Sequence, residues 1–121
     1  MTREFAPRGV AELGAFFSTK TQELAQLTVE LQEAHEVLEN TEIRWVQHYD
    51  EIFALLEEDP KLARLPGEDQ RYSIARRRGG WEAWTNYRRA ERVVKRLEAA
   101  CRQVDTVISA CQSEAKLLRA T

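Results

Sequence analysis

Two heptad seams separated by one short turn-rich stretch predict an all-α chain. The predicted architecture is a long antiparallel helical hairpin, coiled-coil-like, with a small aromatic-rich helical head at the turn end. Three observations carry this. Apolar residues recur in steps of three and four over most of the chain. Ala, Glu, Leu, Arg and Gln, all helix formers, dominate its 121 residues. Only five Gly and three Pro are present, too few for an all-β domain. The whole of 1–121 reads as a single helical domain.

The first seam runs Ala6, Val10, Leu13, Phe17, Lys20, Leu24, Leu27, Leu31, Ala34, Leu38, Thr41, Trp45, His48, Ile52 and Leu55, and all but Lys20, Thr41 and His48 are apolar. An unbroken phase of this kind is a heptad repeat. It predicts one helix over about 8–58, with weak points at Gly14 and Ser18-Thr19 where a bend is plausible. Asp59-Pro60 stops that helix, because the residue before a proline avoids the α region. Leu65-Pro66-Gly67 is a second stop. Within the turn region, 59–80, a short helix is expected over about 67–78. It has acids at its start and Arg76-Arg77-Arg78 at its end, as the macrodipole favours. Gly79-Gly80 then breaks the chain. The last seam, Tyr87, Ala90, Val94, Leu97, Cys101, Val104, Ile108, Cys111, Ala115 and Leu118, is wholly apolar or aromatic and predicts a second long helix over 81–120. A short link between two long helices makes them antiparallel. Intact helices then place Val10, Leu13, Phe16 and Phe17 against the segment from Val104 to Leu118.

Both arms carry apolar residues beside the seam: Val37, Ile43, Val46, Phe53 and Leu56 on the first, Val93, Ala100 and Val107 on the second. One partner helix does not need so wide a face. Either a folded-back third helix or, in preference, a homodimer forming a four-helix bundle is therefore expected. All three Trp and all three Tyr fall between 45 and 87, which concentrates the aromatic residues in the head. That is either a small core closing the hairpin or a recognition surface, on which Trp81 and Trp84 would be anchors for a protein partner.

Charge is divided unevenly. Residues 23–59 hold eleven acids and one base, Arg44, whereas 71–102 hold ten bases and three acids. Antiparallel pairing sets these segments side by side, so mutual compensation is one reading. On the heptad wheel, however, Arg88, Arg89, Arg92, Lys95, Arg96 and Arg102 fall at b, c and f and point away from the partner helix. A basic stripe beside an aromatic head is also the layout of a nucleic-acid surface, with Arg76, Arg77, Arg78, Arg88, Arg89, Arg92 and Arg96 as backbone contacts. The alternative places the active surface on the acidic arm. Glu33, Glu36 and Glu39 would there imitate nucleic acid toward a basic host protein, making the chain an inhibitor or adaptor. A structural role in an assembly is a third reading.

The sequence offers no catalytic chemistry. His35 and His48 are 13 residues apart, whereas a metal pair on one helix face needs a spacing of three or four. His48, on the seam, is expected as a satisfied core histidine. The acids around Glu33, Glu36 and Glu39 lack the Glu-x-x-His partners of a di-iron bundle, and Gly79-Gly80 lacks the lysine of a phosphate loop. Cys101 and Cys111 lie in the seam about 15 Å apart along a helix, too far to bridge, and are expected as inert thiols. No enzyme activity, metal, cofactor or small-molecule substrate is expected. With no apolar run of membrane length and no secretion signal, a cytoplasmic chain is expected.

Arg44-Trp45 with Tyr49 stands late in the first helix, followed by an arginine-containing turn region. Arg89-Ala90-Glu91 opens the last helix, and Ile108-Ser109-Ala110-Cys111-Gln112-Ser113-Glu114-Ala115-Lys116-Leu117-Leu118-Arg119 closes it. Over about residues 27–119 this resembles a loose class of small helical proteins encoded by bacteriophages and prophages, often near genes for DNA recombination and replication. The class has no agreed activity, so no site residue is carried over from it. The resemblance implies a phage or prophage origin, hence the host cytoplasm, and a tie to DNA metabolism or host takeover. The expected function is that of a non-enzymatic interaction protein, an accessory factor of DNA metabolism or recombination acting through the basic stripe.

Overall fold

The computed structural model describes residues 9–56, 58 and 67–120, with the side chain of residue 56 excepted. The chain is an all-α helical hairpin. Helix α1 spans Val10–Leu56, α2 spans Glu68–Ala75 and α3 spans Trp81–Ala120, with a non-regular junction at Arg76–Gly80 between the last two. The proline stops before Gly67, and Ala6 of the first seam, lie outside the described residues. Among the described residues there is no strand. No helix is long and apolar enough to cross a membrane.

The heptad reading accounts for what is buried. From Leu13 to Ile52 every seam position of α1 is buried or half-buried, and so are all ten seam positions of α3. Val10 and Leu55, at the two ends of the first seam, are exposed. The three polar seam residues each have a physical accommodation. Thr41 donates its hydroxyl to the carbonyls of Val37 (2.9 Å) and Leu38 (3.0 Å), so it enters the seam with its polar atom satisfied within its own helix. Lys20 lays its stem along the seam and reaches Glu23 (3.1 Å), with its ammonium 5.6 Å from the centre of the Phe16 ring. His48 packs against the Arg76–Gly80 junction. Helix α1 continues through Gly14 and Ser18-Thr19. Thr19 and Thr21 satisfy their hydroxyls on the carbonyls four residues back.

The chain's contacts gather into two compact units. One comprises Met1–Glu33 and Lys95–Thr121. Its core is Leu13, Val107 and Cys111, with Phe16, Phe17, Ala115 and Leu118 packed against them. This is the pairing that an intact first helix demands. Val107, beside the seam of α3, joins this core. It is 5% exposed, since Leu13 and Cys111 close over it. Val93 and Ala100 are half-buried. Cys101 and Cys111 are both thiols, half-buried and buried respectively.

The other unit, Ala34–Val94, contains the head. Trp45 is 5% exposed and its ring lies 6.1 Å from that of Tyr72 at 28°. Tyr49 fills the space between α1 and α2, 4.8 Å from Tyr72 and 4.4 Å from Phe53. Offset and tilted aromatic pairs at these separations add to the burial energy of the rings. Arg71 caps the cluster, with its guanidinium 5.7 Å from the centre of Phe53. These four rings are the small core that closes the hairpin.

Candidate nucleic-acid interface

The geometry of the arginine-rich surface begins at the junction after α2. Helical dihedrals persist through Arg76 and are lost at Arg78 (φ −90°, ψ 34°) and Gly79 (φ 96°, ψ 0°). Gly79 is in the left-handed region, where a side chain is strained. Gly80 has a different constraint. A Cβ at that position would lie 2.5 Å from the carbonyl oxygen of Ala75, 2.7 Å from Cδ2 of His48 and 3.0 Å from Cζ3 of Trp45. The first requirement bends the backbone between α2 and α3, and the second seats the bend directly on α1. The dipeptide thus sets the direction in which α3 leaves the head.

His48 is in the core, as its seam position predicts, but it is not the satisfied histidine expected there. Its Nε2 is buried with no hydrogen-bond partner among the described residues, as is the hydroxyl of Thr85. Among the described residues no three of His, Cys, Asp and Glu converge.

The bend exposes Trp81 at the first position of α3, with 60% of its surface open. Trp84, one turn on, is half-buried, with ring centres 5.4 Å apart and planes at 34°. Two guanidiniums from different elements converge on Trp84. Arg76 lies 4.9 Å from the ring centre and Arg88 6.0 Å, within reach of a cation–π attraction. Arg88 also pairs with Glu91 at 2.7 Å. Arg77, Arg78, Arg89 and Arg92 are exposed, and none of them has an acidic partner among the described residues. Six of the seven predicted arginines therefore belong to this one unit with both tryptophans. Arg96 is exposed in the other unit.

Two grooves flank Trp84 and Trp81. The first is lined by Glu42, Asp50, Arg76 and Arg88 around aromatic walls that include Tyr49, Tyr72 and Tyr87. The second is lined by Ser73, Arg76, Arg77 and Trp81. The three tyrosines all have raised pKa values. Burial does this for Tyr49 and Tyr87. For Tyr72 the cause is first the hydrogen bond its hydroxyl donates to Glu68 (3.0 Å), then burial. All three phenols stay neutral donors at physiological pH.

Among the described residues no acid of α1 forms an ion pair with these arginines. The ion pairs described, Lys20–Glu23 and Arg88–Glu91, each lie within one helix. Glu33, Glu36 and Glu39 are exposed. Glu33 belongs to the first unit, whereas Glu36 and Glu39 lie in the unit with the tryptophans. Trp81 and Trp84, expected as anchors for a protein partner, lie in the same unit as six of the arginines. The sequence pattern did not single out Ser73. The signal was available, since Ser73 stands three and four residues before Arg76 and Arg77 and so shares their helix face. Comparison of the chain with protein-family models, with curated proteins and with solved structures gave no match.

Proposed function

We propose that the chain is a non-enzymatic nucleic-acid-binding protein. The observation that carries this is the set of exposed arginines Arg77, Arg78, Arg88, Arg89 and Arg92 in the same unit as the open Trp81, of which all but Arg88 lack an acidic partner among the described residues. Guanidiniums in water that lack carboxylate partners attract phosphate, and the release of counterions from the nucleic acid drives the association. Net charge over the chain is −2. The attraction is therefore local to this surface rather than a property of the whole molecule. An accessory role in the DNA metabolism of a phage or prophage fits such a surface. Reversal of charge in Arg88→Glu, Arg89→Glu and Arg92→Glu together tests the reading. Binding to DNA should vanish while the far-ultraviolet helical signal stays unchanged, because all three side chains are exposed and none belongs to the seam of α3. Binding that survives the triple reversal would rule this surface out.

A second reading is favoured by the lack of ion pairs between α1 and α3 among the described residues. With Glu33, Glu36 and Glu39 exposed, α1 presents acids that a basic host protein would recognise. It predicts a stable complex that weakens when the three are changed to Gln. We also infer a homodimer, from the exposure of Ile43 (48%) and Val46 (46%) one turn apart on α1.

A further inference from the structure

The two grooves beside the tryptophans differ in one respect that decides between ligands. The groove under Trp84 and Tyr87 has Glu42 and Asp50 in its wall, so a phosphate entering it meets two carboxylates. The groove beside Trp81 is lined by Ser73, Arg76, Arg77 and Trp81, with no acid. It offers one flat indole face, two guanidiniums and a hydroxyl. Trp81 is braced against its own unit. Its ring rests against Trp84 on one side. Trp84 in turn carries the Arg76 guanidinium, and the backbone before Trp81 is set by Gly79 and Gly80. An ordered aromatic ring with much of its surface in water is a platform on which a second ring can stack at low entropic cost.

We propose that this groove takes an unpaired base of a single-stranded nucleic acid, stacked on Trp81, with the adjoining phosphates on Arg76 and Arg77. The inference rests on the nucleic-acid reading above and deepens it by naming the class of strand. In a duplex the base faces are stacked on one another and only phosphates and groove edges are presented. Trp81 therefore has nothing to take from a duplex, and the arginines alone would hold it. A single strand offers both groups at neighbouring positions. The serine hydroxyl donates to the same phosphate or accepts from a base edge.

The test is a fluorescence-anisotropy titration of the full chain with a labelled oligothymidylate and, separately, a labelled blunt-ended two-strand duplex of equal phosphate number. Trp81→Ala should weaken single-strand binding by roughly 5- to 150-fold, the range for loss of one base-stacking contact. Its duplex affinity should be unchanged, and Trp81→Phe should restore most of the single-strand affinity. Equal single-strand affinity in the wild type and Trp81→Ala would overturn the proposal. If the triple arginine reversal still abolished binding, phosphate contact would stand and base stacking alone would fall. Absence of binding to either ligand by the wild type would remove the nucleic-acid reading itself, and this inference with it. A Trp81→Ala variant that changes only self-association, read by sedimentation, would reassign the indole to a second copy of the chain and likewise overturn the proposal.

Discussion

At Gly80 a methyl group in place of hydrogen would meet the Ala75 carbonyl, His48 and Trp45 together, and neither the carbonyl nor the buried Trp45 ring can move away cheaply. Gly80→Ala should cost about 1–3 kcal/mol as overpacking, seen as a lower urea midpoint with unchanged slope. An unchanged midpoint would show that the junction gives way. Gly79→Ala acts through backbone strain instead, at about 1–2 kcal/mol. The dipeptide was legible as a break in the sequence. The reason Gly80 must be glycine was not, because a spacing pattern does not reveal which α1 side chain meets the turn. The tyrosines make a second prediction at this scale. Each is held protonated above its ordinary value of 10.0 in the fold. The stability this contributes is fully present below that pH. It is lost as pH rises from there through the raised native values, since the unfolded chain gives up its phenolic protons first. Tyrosinate absorbance should therefore rise at higher pH in buffer than in concentrated urea. Coincident curves would mean the phenols are as solvated in the fold as outside it.

Among the elements, the two long helices were readable because a heptad needs only the order of residues, and the seam residues are the ones found buried. Position on the wheel does not by itself fix exposure beside the seams. Val107 at a g position is core, because Leu13 and Cys111 reach past the seam to cover it. Val37 at 54% and Ile43 at 48% stay open. Leu13 is the residue of α1 on which the first unit's core depends, being 4% exposed. Leu13→Ala should cost roughly 2–5 kcal/mol as a cavity in that core, measured by thermal or urea unfolding. Removal of residues 1–18, which takes Leu13, Phe16 and Phe17 together, should expose Val107 and Cys111 and cause aggregation. A soluble truncation of equal stability would contradict the pairing of those residues with α3. The candidate site was half legible. Its arginines and tryptophans stand out by composition, but their convergence depends on the direction α3 takes after Gly79, and that is a tertiary fact.

For the molecule as a whole, one chain leaves Ile43 and Val46 in water, and burial against a second copy would remove that cost. Sedimentation equilibrium should give a dimer mass for the wild type and a monomer mass for Ile43→Glu with Val46→Glu. A wild-type monomer at all accessible concentrations would leave this flank for another partner. The division of charge is the other whole-molecule property. A chain of net charge −2 has no long-range field to draw in DNA, so binding has to come from the arginine surface at close range. The most direct measurement is a titration of the wild-type chain with labelled single-stranded DNA over a range of salt concentrations. Contacts to three to six phosphates predict that log affinity falls with log salt at a slope of about −2 to −4. Affinity that is absent at low salt, or present but independent of salt, would contradict a phosphate-binding arginine face.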